Sequence, residues 1–233
     1  MVQKKKLVVL TGAGISAESG IATFRDADGL WEGHDVMEVA SPQGWRKNPE
    51  LVLDFYNQRR KNAMEAKPNQ GHFILAELEQ DFDVRIITQN VDNLHERAGS
   101  TNVLHLHGKL FESRSTLDPS LIYEMKSWEL NLGDKCARGS QLRPNIVWFG
   151  EPVPMMEKAV EEAIRADIFL VVGTSLVVYP AASLLDFISE ESALLVVDPK
   201  LPAIRKRPNL HLFEEKASTG MKKVAELLLS KYK

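Results

Sequence analysis

The sequence predicts an α/β protein with a parallel, doubly wound sheet. Short apolar runs alternate along the chain with segments whose apolar residues recur at helical spacing, which is typical of parallel strands joined by helical crossovers. A glycine-rich turn follows the first apolar run, and polar motifs follow three later ones. Open α/β sheets bind ligands at such strand ends, so the same pattern predicts a ligand site.

The predicted strands are short runs rich in Val, Ile and Leu, each followed by glycine or polar residues. They cover residues 7–10, 84–88, 103–106, 146–149, 168–172 and 193–197. The predicted helices are longer, and their apolar residues recur every three or four positions, as Leu51 and Phe55 do in the first of them. They cover residues 49–66, 72–79, 155–166, 181–188 and 220–230.

Two stretches do not follow this alternation. Residues 109–145 mix Pro, Gly, Ser and charged residues, with a weak helical pattern around residues 121–128, and we interpret them as a small inserted module. Residues 24–49 predict a long loop with short helices, and loops of that length usually have a function. We expect a single domain over residues 1–233, with a core of about 1–25, 80–108 and 146–233 and a small module of about 26–79 and 109–145.

Composition and charge exclude several classes of protein. The 233 residues include 29 Lys and Arg against 32 Asp and Glu, and this near-neutral balance lacks the basic field that phosphate backbones require. Residues 168–185 are the most apolar stretch, but glycine, proline and polar residues interrupt them. We therefore expect no nucleic acid and no membrane as partner.

The single cysteine, Cys136, limits both disulfide formation and metal binding. It cannot form a disulfide within the chain, and the basic residues 4–6 precede an apolar run too short for a signal peptide, so we expect a cytoplasmic protein. Four thiolate ligands for a structural zinc ion are impossible within one chain, and we expect no metal site.

The turn after the first strand has the pattern G-x-G-x-x-A, from Gly12 to Ala17. Its glycines would let the backbone approach a pyrophosphate, and a following helix would offer free N–H groups, so the turn indicates a dinucleotide site. A tight turn without a ligand is the alternative. No strand ending in an acidic residue follows about 20 residues later, which weakens the hypothesis of a simple dehydrogenase. Asp198, after a late strand, is a candidate for holding a ribose.

Polar motifs follow three other strands: residues 89–92, 107–108 and 173–175. Their amides and carboxylate can bind a carboxamide or sugar hydroxyls, and a histidine can move a proton near neutral pH. Each motif alone could be a loop or helix cap, but three beside a glycine turn favour a site. His105 and His107 alternate on one predicted strand; His107 lies at the strand exit and is the better candidate, whereas we expect His105 in the core.

In combination these segments resemble the sirtuins, a family of NAD-dependent protein-lysine deacylases. The resemblance extends in family order through residues 12–16, 23–25, 89–92, 107–108, 147–151, 173–175 and 216–218. It implies a Rossmann-like sheet with a small inserted module, NAD as co-substrate, and acylated lysine side chains of proteins as substrate.

The resemblance also implies roles for individual residues. It identifies His107 and Asn90 as catalytic, with His107 as the general base toward a ribose hydroxyl while the acyl group moves to the ribose. The residues implied for cofactor binding are Gly12, Ala13, Gly14, Ile15, Ser16, Phe24, Arg25, Trp31, Gln89, Asn90, Val91, Asp92, Gly173, Thr174, Ser175, Asp198 and Ala217. The residues implied for substrate binding are Ala40, Tyr56, Arg59, Val147, Phe149, Gly150, Glu151 and Val178.

Within that set, Tyr56 and Arg59 concern the acyl chain. They are three residues apart on a predicted helix, so both side chains reach one face. A helix with a surface arginine is the alternative. The sirtuin group that prefers acidic acyl chains carries this pair in its acyl pocket, and Ala40 matches the small residue that widens it. The resemblance therefore implies desuccinylase and demalonylase activity beside deacetylase activity.

The inserted module departs from the family pattern. Most sirtuins hold a structural zinc ion there with two cysteine pairs, whereas Cys136 stands alone in this chain, so we expect no zinc and a module stabilised by packing. Two other functions stay open at this point: an NAD-dependent ADP-ribosyltransferase, and a catalytically weak NAD-binding module.

Overall fold

The structure, a computed structural model, describes residues 3–23 and 30–233. In chain order its strands are β1 (Lys6–Thr11), β2 (Leu30–Trp31), β3 (His34–Asp35), β4 (Asp83–Thr88), β5 (Val103–His105), β6 (Gly108–Ser115), β7 (Ile122–Glu124), β8 (Leu142–Ile146), β9 (Ile168–Val172), β10 (Ala193–Val197) and β11 (Leu210–Phe213). Its α-helices are α1 (Val36–Val39), α2 (Pro42–Lys47), α3 (Pro49–Glu65), α4 (Gln70–Leu78), α5 (Leu94–Arg97), α6 (Met156–Ile164) and α7 (Ala217–Lys231).

The main sheet confirms the predicted Rossmann-like, doubly wound fold. Within the described residues it has six parallel strands in the order β11-β10-β9-β1-β4-β5. Side chains alternate across β1: Leu7 and Val9 belong to the apolar cluster under α4 and α7, whereas Val8 and Leu10 belong to the cluster under α6 and the 3-10 helix Ala181–Phe187. Burial on both faces explains why the central strands are continuous apolar runs.

A smaller sheet and a group of helices cover one end of the main sheet. The smaller sheet is antiparallel, with the order β7-β6-β8, and β2 pairs with β3 in a separate hairpin. A third apolar cluster joins α3 to this region through Phe55, Tyr56, Ile146 and Trp148. The division of the chain into core and module by the residue numbers given above stays a prediction.

Several predicted elements are wrong. Residues 146–149 do not form a strand of the main sheet, because the strand ends at Ile146 and pairs with β6 in the small sheet. Residues 121–128 do not form the predicted helix: three of them form β7, whose pairing with β6 overrides the weak helical pattern, and the rest are irregular. The segments that form β6, β7 and β11 were not predicted as strands, since polar residues interrupt their apolar pattern.

Two predicted helices have a different form. The glycine turn leads into two 3-10 turns, Ala13–Ile15 and Ala17–Ser19, rather than into an α-helix. The predicted helix at residues 181–188 is also of the 3-10 type. No helix in the described part of the chain is both long and apolar enough to span a bilayer.

Buried polar residues of α3 hold the irregular segment that follows β7. The side chain of Asn57 donates to the carbonyl of Leu130 (3.2 Å) and accepts from its N–H (3.0 Å). Arg60, fully buried, donates from Nε to the carbonyl of Trp128 (2.7 Å). These contacts satisfy backbone groups that no strand pairs, so they stabilise the module.

Cys136 is buried in the same module, and its N–H donates to the carbonyl of Ser140 (2.8 Å). Among residues 3–23 and 30–233, no three His, Cys, Asp or Glu side chains are grouped to hold a metal ion. The expectation of a protein without zinc stays a prediction.

Chelators should leave the melting temperature of the purified, tag-free protein unchanged, because we expect no metal ion to contribute to folding. Calorimetry with and without EDTA, together with elemental analysis, checks this. About one zinc ion per chain would contradict it.

Replacing Asn57 with Ala should lower the free energy of unfolding by about 1–3 kcal/mol, because both backbone groups of Leu130 lose their buried partner. Urea titration measures the change. Asn62→Ala, at an exposed position of the same helix, is the matched control and should change it by less than about 0.5 kcal/mol. An equal effect of the two variants would mean that the Asn57 contacts do not stabilise the module.

Candidate active site

A cavity of about 630 Å³ lies at the carboxyl ends of the parallel strands, between the main sheet and the smaller region. The turns after β1, β4, β9 and β10 form one side, and the segment after β8 forms the other. Parallel strands bring all these turns to one edge of the sheet, as the sequence predicted.

The glycine turn forms the base of this cavity. Its Gly12 N–H donates to the carbonyl of Val172 (3.1 Å), and its Gly14 N–H donates to the carbonyl of Gly173 (2.9 Å). A Cβ atom on Gly14 would lie 2.7 Å from the Cα of Gly173, so glycine is required where the two turns meet. The absence of side chains leaves exposed backbone that a pyrophosphate can approach, and this fits a dinucleotide.

Ser16 connects the glycine turn to the motif after β4. Its hydroxyl is fully buried, donates to Asp92 Oδ2 (3.2 Å) and accepts from Asn90 Nδ2 (3.1 Å). Asp92 also accepts from the N–H of Leu94 (3.1 Å), and burial raises the pKa of its carboxyl group. These bonds fix the Asn90 and Asp92 side chains at the cavity wall.

His107 faces the cavity, and His105 does not. The Nδ1 of His107 lies 3.0 Å from the carbonyl oxygen of Gln89; because a carbonyl only accepts, Nδ1 carries the proton and Nε2 of the neutral ring is free to accept one. Burial lowers the pKa of His107, which favours the neutral ring near pH 7. Both nitrogens of His105 are occupied, by the carbonyl of Asn90 (3.0 Å) and the carboxylate of Glu96 (2.7 Å).

The motif after β9 and the residue after β10 line the opposite part of the cavity. Thr174 accepts a hydrogen bond from Gln89 Nε2 (3.1 Å), which links this motif to the one after β4. Asp198 is buried, and its carboxylate accepts from the N–H of Lys200 (2.8 Å). The positions of Thr174 and Asp198 are consistent with holding the sugar at the far end of a dinucleotide.

Tyr56 and Arg59 of α3 line the cavity, and so does Ala40. The Arg59 guanidinium lies over the ring of Trp31, 3.9 Å from its centroid. Its Nε and Nη1 are buried and have no hydrogen-bond partner among the described residues. Burial lowers the pKa of Arg59 and raises the pKa of Tyr56 to about 12, so the tyrosine remains a hydroxyl donor.

Two segments border the mouth of the cavity. The first follows β8, and its Phe149 N–H donates to the carbonyl of Ala40 (2.9 Å). The second contains Val177 and Tyr179, which are 71% and 73% exposed. Large apolar side chains in such exposed positions are suited to contact a polypeptide.

Most of the predicted site residues line this cavity: Gly12, Ala13, Gly14, Ser16, Trp31, Ala40, Tyr56, Arg59, Gln89, Asn90, Val91, Asp92, His107, Val147, Phe149, Gly150, Glu151, Gly173, Thr174, Ser175, Val178 and Asp198. The side chains of Ile15 and Ala217 do not, because they pack in the main apolar core. Phe24 and Arg25 lie outside the described residues.

The sequence did not single out Glu18 and Trp148, although both line the cavity. Glu18 accepts from the backbone N–H (3.0 Å) and the hydroxyl (2.7 Å) of Ser218, at the start of α7. An acidic residue at a helix N-terminus is a recognisable signal, but the 200 residues between the partners hide this pairing.

The fold and this cavity together define an α/β protein with a dinucleotide-type site at the carboxyl ends of its parallel strands. Residues 12–180 match the Sir2 family model, and the chain belongs to that family.

Similar proteins cover nearly its whole length. A Helicobacter pylori "NAD-dependent protein deacylase" is 54% identical over 225 residues, which are 97% of this chain and 98% of the relative. A protein of the same name from Bacteroides thetaiotaomicron is 52% identical over 230 residues, 97% of this chain and 98% of the relative. The crystal structure of a Sir2 homolog–NAD complex superposes with a TM-score of 0.87, at 42% identity, over 97% of this chain and 90% of that one.

Proposed function

We propose that this enzyme, an NAD-dependent protein deacylase like its relatives, removes acidic acyl groups such as succinyl and malonyl from lysine side chains, in addition to acetyl. The observation that carries the proposal is the buried guanidinium of Arg59, whose Nε and Nη1 lack a hydrogen-bond partner within the described chain. Burial of a guanidinium N–H without a hydrogen-bond partner is costly, and a carboxylate at the end of an acyl chain would supply the missing acceptor.

The proposed reaction uses groups that the cavity already orients. NAD supplies the ribose carbon that loses nicotinamide and receives the acyl oxygen. His107 accepts a proton from a ribose hydroxyl at Nε2, since its Nδ1–H is bonded to Gln89. Asn90 and Asp92 hold the ribose hydroxyls from positions fixed by Ser16. One water is consumed, and the products are free lysine, nicotinamide and acyl-ADP-ribose.

The two segments at the cavity mouth are proposed to hold the protein substrate. An extended peptide would lie between the segment after β8 and the segment of Val177 and Tyr179, as an added strand, with the acyl-lysine directed toward Tyr56 and Arg59. Product analysis distinguishes this function from the alternatives: a deacylase forms acyl-ADP-ribose, an ADP-ribosyltransferase forms ADP-ribosylated protein, and a binding module leaves NAD unreacted.

Replacing His107 with Ala should lower deacylation by about 100- to 10,000-fold, the usual contribution of a general base. NAD binding, measured by titration calorimetry, should persist because the cofactor contacts remain. His105→Ala is the comparison, since the His105 ring lies outside the cavity and both of its nitrogens already have hydrogen-bond partners. If His105→Ala abolished turnover while His107→Ala did not, the assignment of the base would be wrong.

Replacing Arg59 with Met should reduce kcat/KM for a succinyl peptide by at least about tenfold, because a hydrogen bond to a charged group contributes about 1.5–3 kcal/mol. The same peptide carrying acetyl should lose much less, since acetyl has no carboxylate. Lys61→Met, an exposed change on the same helix, is the control. Equal losses on both peptides would show that Arg59 only supports the fold.

The melting temperature of Arg59→Met gives an independent check. A buried guanidinium with unsatisfied N–H groups contributes little to stability, so an apolar replacement should leave the melting temperature unchanged or raise it. A drop of many degrees would indicate a structural arginine instead.

A further inference from the structure

Trp148 connects the acyl pocket to a cluster of ion pairs. Its indole is 2% exposed, and its Nε1–H donates to the hydroxyl oxygen of Tyr56 at 3.0 Å. Over the face of the ring, the Arg143 guanidinium lies 3.3 Å from the ring centroid. The indole therefore contacts a cation with its face and the Tyr56 hydroxyl with its edge.

Glu151 fixes both this cation and the tryptophan backbone. Its carboxylate accepts from Arg143 Nη1 (2.7 Å) and Nη2 (3.1 Å), from Arg114 (3.2 Å), and from the N–H of Trp148 (2.9 Å). The pairing keeps the pKa of Glu151 below its usual value, although burial opposes this, so the carboxylate stays charged. Two restraints, one on the backbone and one on the ring, leave the indole little freedom.

The direction of the indole bond determines what the Tyr56 hydroxyl can do. An indole N–H only donates, so the Tyr56 oxygen is the acceptor, and the hydroxyl hydrogen is not used in this contact. Within the described residues the hydroxyl has no other hydrogen-bond partner, and Tyr56 lines the cavity. The hydrogen is thus left to donate into the pocket that Arg59 shares.

We propose that Trp148 is a positioning residue for acyl selectivity: its indole N–H orients the Tyr56 hydroxyl to donate to the carboxylate of an acidic acyl chain. This inference rests on the proposed preference for such chains. The Arg143–Glu151 pair holds the indole in place. The segment after β8, which borders the mouth of the cavity, would therefore also set the geometry of the acyl pocket.

Trp148→Phe tests the proposal because phenylalanine keeps an aromatic ring under Arg143 but lacks the N–H. The readout is the ratio of kcat/KM for succinyl and acetyl forms of one peptide. We expect this ratio to fall by about 2- to 12-fold, the equivalent of one neutral hydrogen bond, with the loss mainly in KM for the succinyl peptide. An unchanged ratio would overturn the proposal.

A double-mutant cycle separates positioning from a structural effect. Once Tyr56→Phe has removed the hydroxyl, adding Trp148→Phe should not lower the ratio further, because no donor is left to orient. Additive losses would mean that Trp148 acts without Tyr56. If Trp148→Phe does not fold, Tyr56→Phe alone must lower the ratio, and equal losses on both peptides would overturn the proposal.

Arg59→Met in the same assay distinguishes a wrong role for Trp148 from a wrong acidic-acyl preference. If Arg59→Met lowers the succinyl-to-acetyl ratio but Trp148→Phe does not, only the role of Trp148 is wrong. If the unmodified enzyme has no succinyl activity, both the acidic-acyl preference and this inference are wrong, whereas the deacylase assignment is unaffected.

Discussion

The close contact between the turns after β1 and β9 is the constraint from which the candidate site follows. The two strands are neighbours in a parallel sheet, so their carboxyl ends deliver both turns to one point. There the Gly14 N–H bonds the carbonyl of Gly173, and a Cβ on Gly173 would lie only 2.3 Å from the nitrogen of Ile15. Side chains are excluded from this point by sterics, and the base of the cavity is bare backbone as a result.

Hydrogen bonds connect the polar motifs to the two turns that form this base. Thr174 follows Gly173 directly, and its hydroxyl receives Gln89 from the adjacent strand end. Ser16 follows the glycine turn and binds the side chains of Asn90 and Asp92. The backbone contact between Gly14 and Gly173 therefore sets the relation between two turns that are far apart in the sequence.

Most of the strands that were predicted correctly are largely buried on both faces. A strand such as β9 is fully buried, and its sequence is an apolar run. β6 is only partly buried, and its sequence, GKLFESRS, shows no clear alternation. The apolar residues 147–149 were mistaken for a strand because Trp148 is buried by packing against Tyr56 rather than by strand pairing. Local sequence does not separate these two reasons for an apolar side chain.

The site was predictable where its residues follow strands, and less so where they meet from distant segments. Turn residues such as His107 and Asn90 reach the cavity because the sheet fixes strand ends. Ile15 belongs to the matched motif, yet its side chain packs in the core, because a motif does not tell whether backbone or side chain is used. The Trp148–Tyr56 contact joins residues 92 positions apart, and no pattern in the sequence predicts it.

Helix α3 carries two consecutive arginines, Arg59 and Arg60, whose surroundings differ. Arg60 is fully buried, and its guanidinium donates to the carbonyls of Trp128 and Leu110, which would otherwise lack this partner. Arg59, one residue earlier, faces the cavity and packs over the rings of Trp31 and Phe55, and two of its buried nitrogens have no hydrogen-bond partner in the described structure. Burial lowers the pKa of both side chains. Nearby Glu32 and Asp92 favour the charged form of Arg59, but within the described residues they accept no hydrogen bond from its two buried nitrogens. Arg59 lines the cavity, so the proposed acidic acyl group would supply the hydrogen-bond partner that these nitrogens lack.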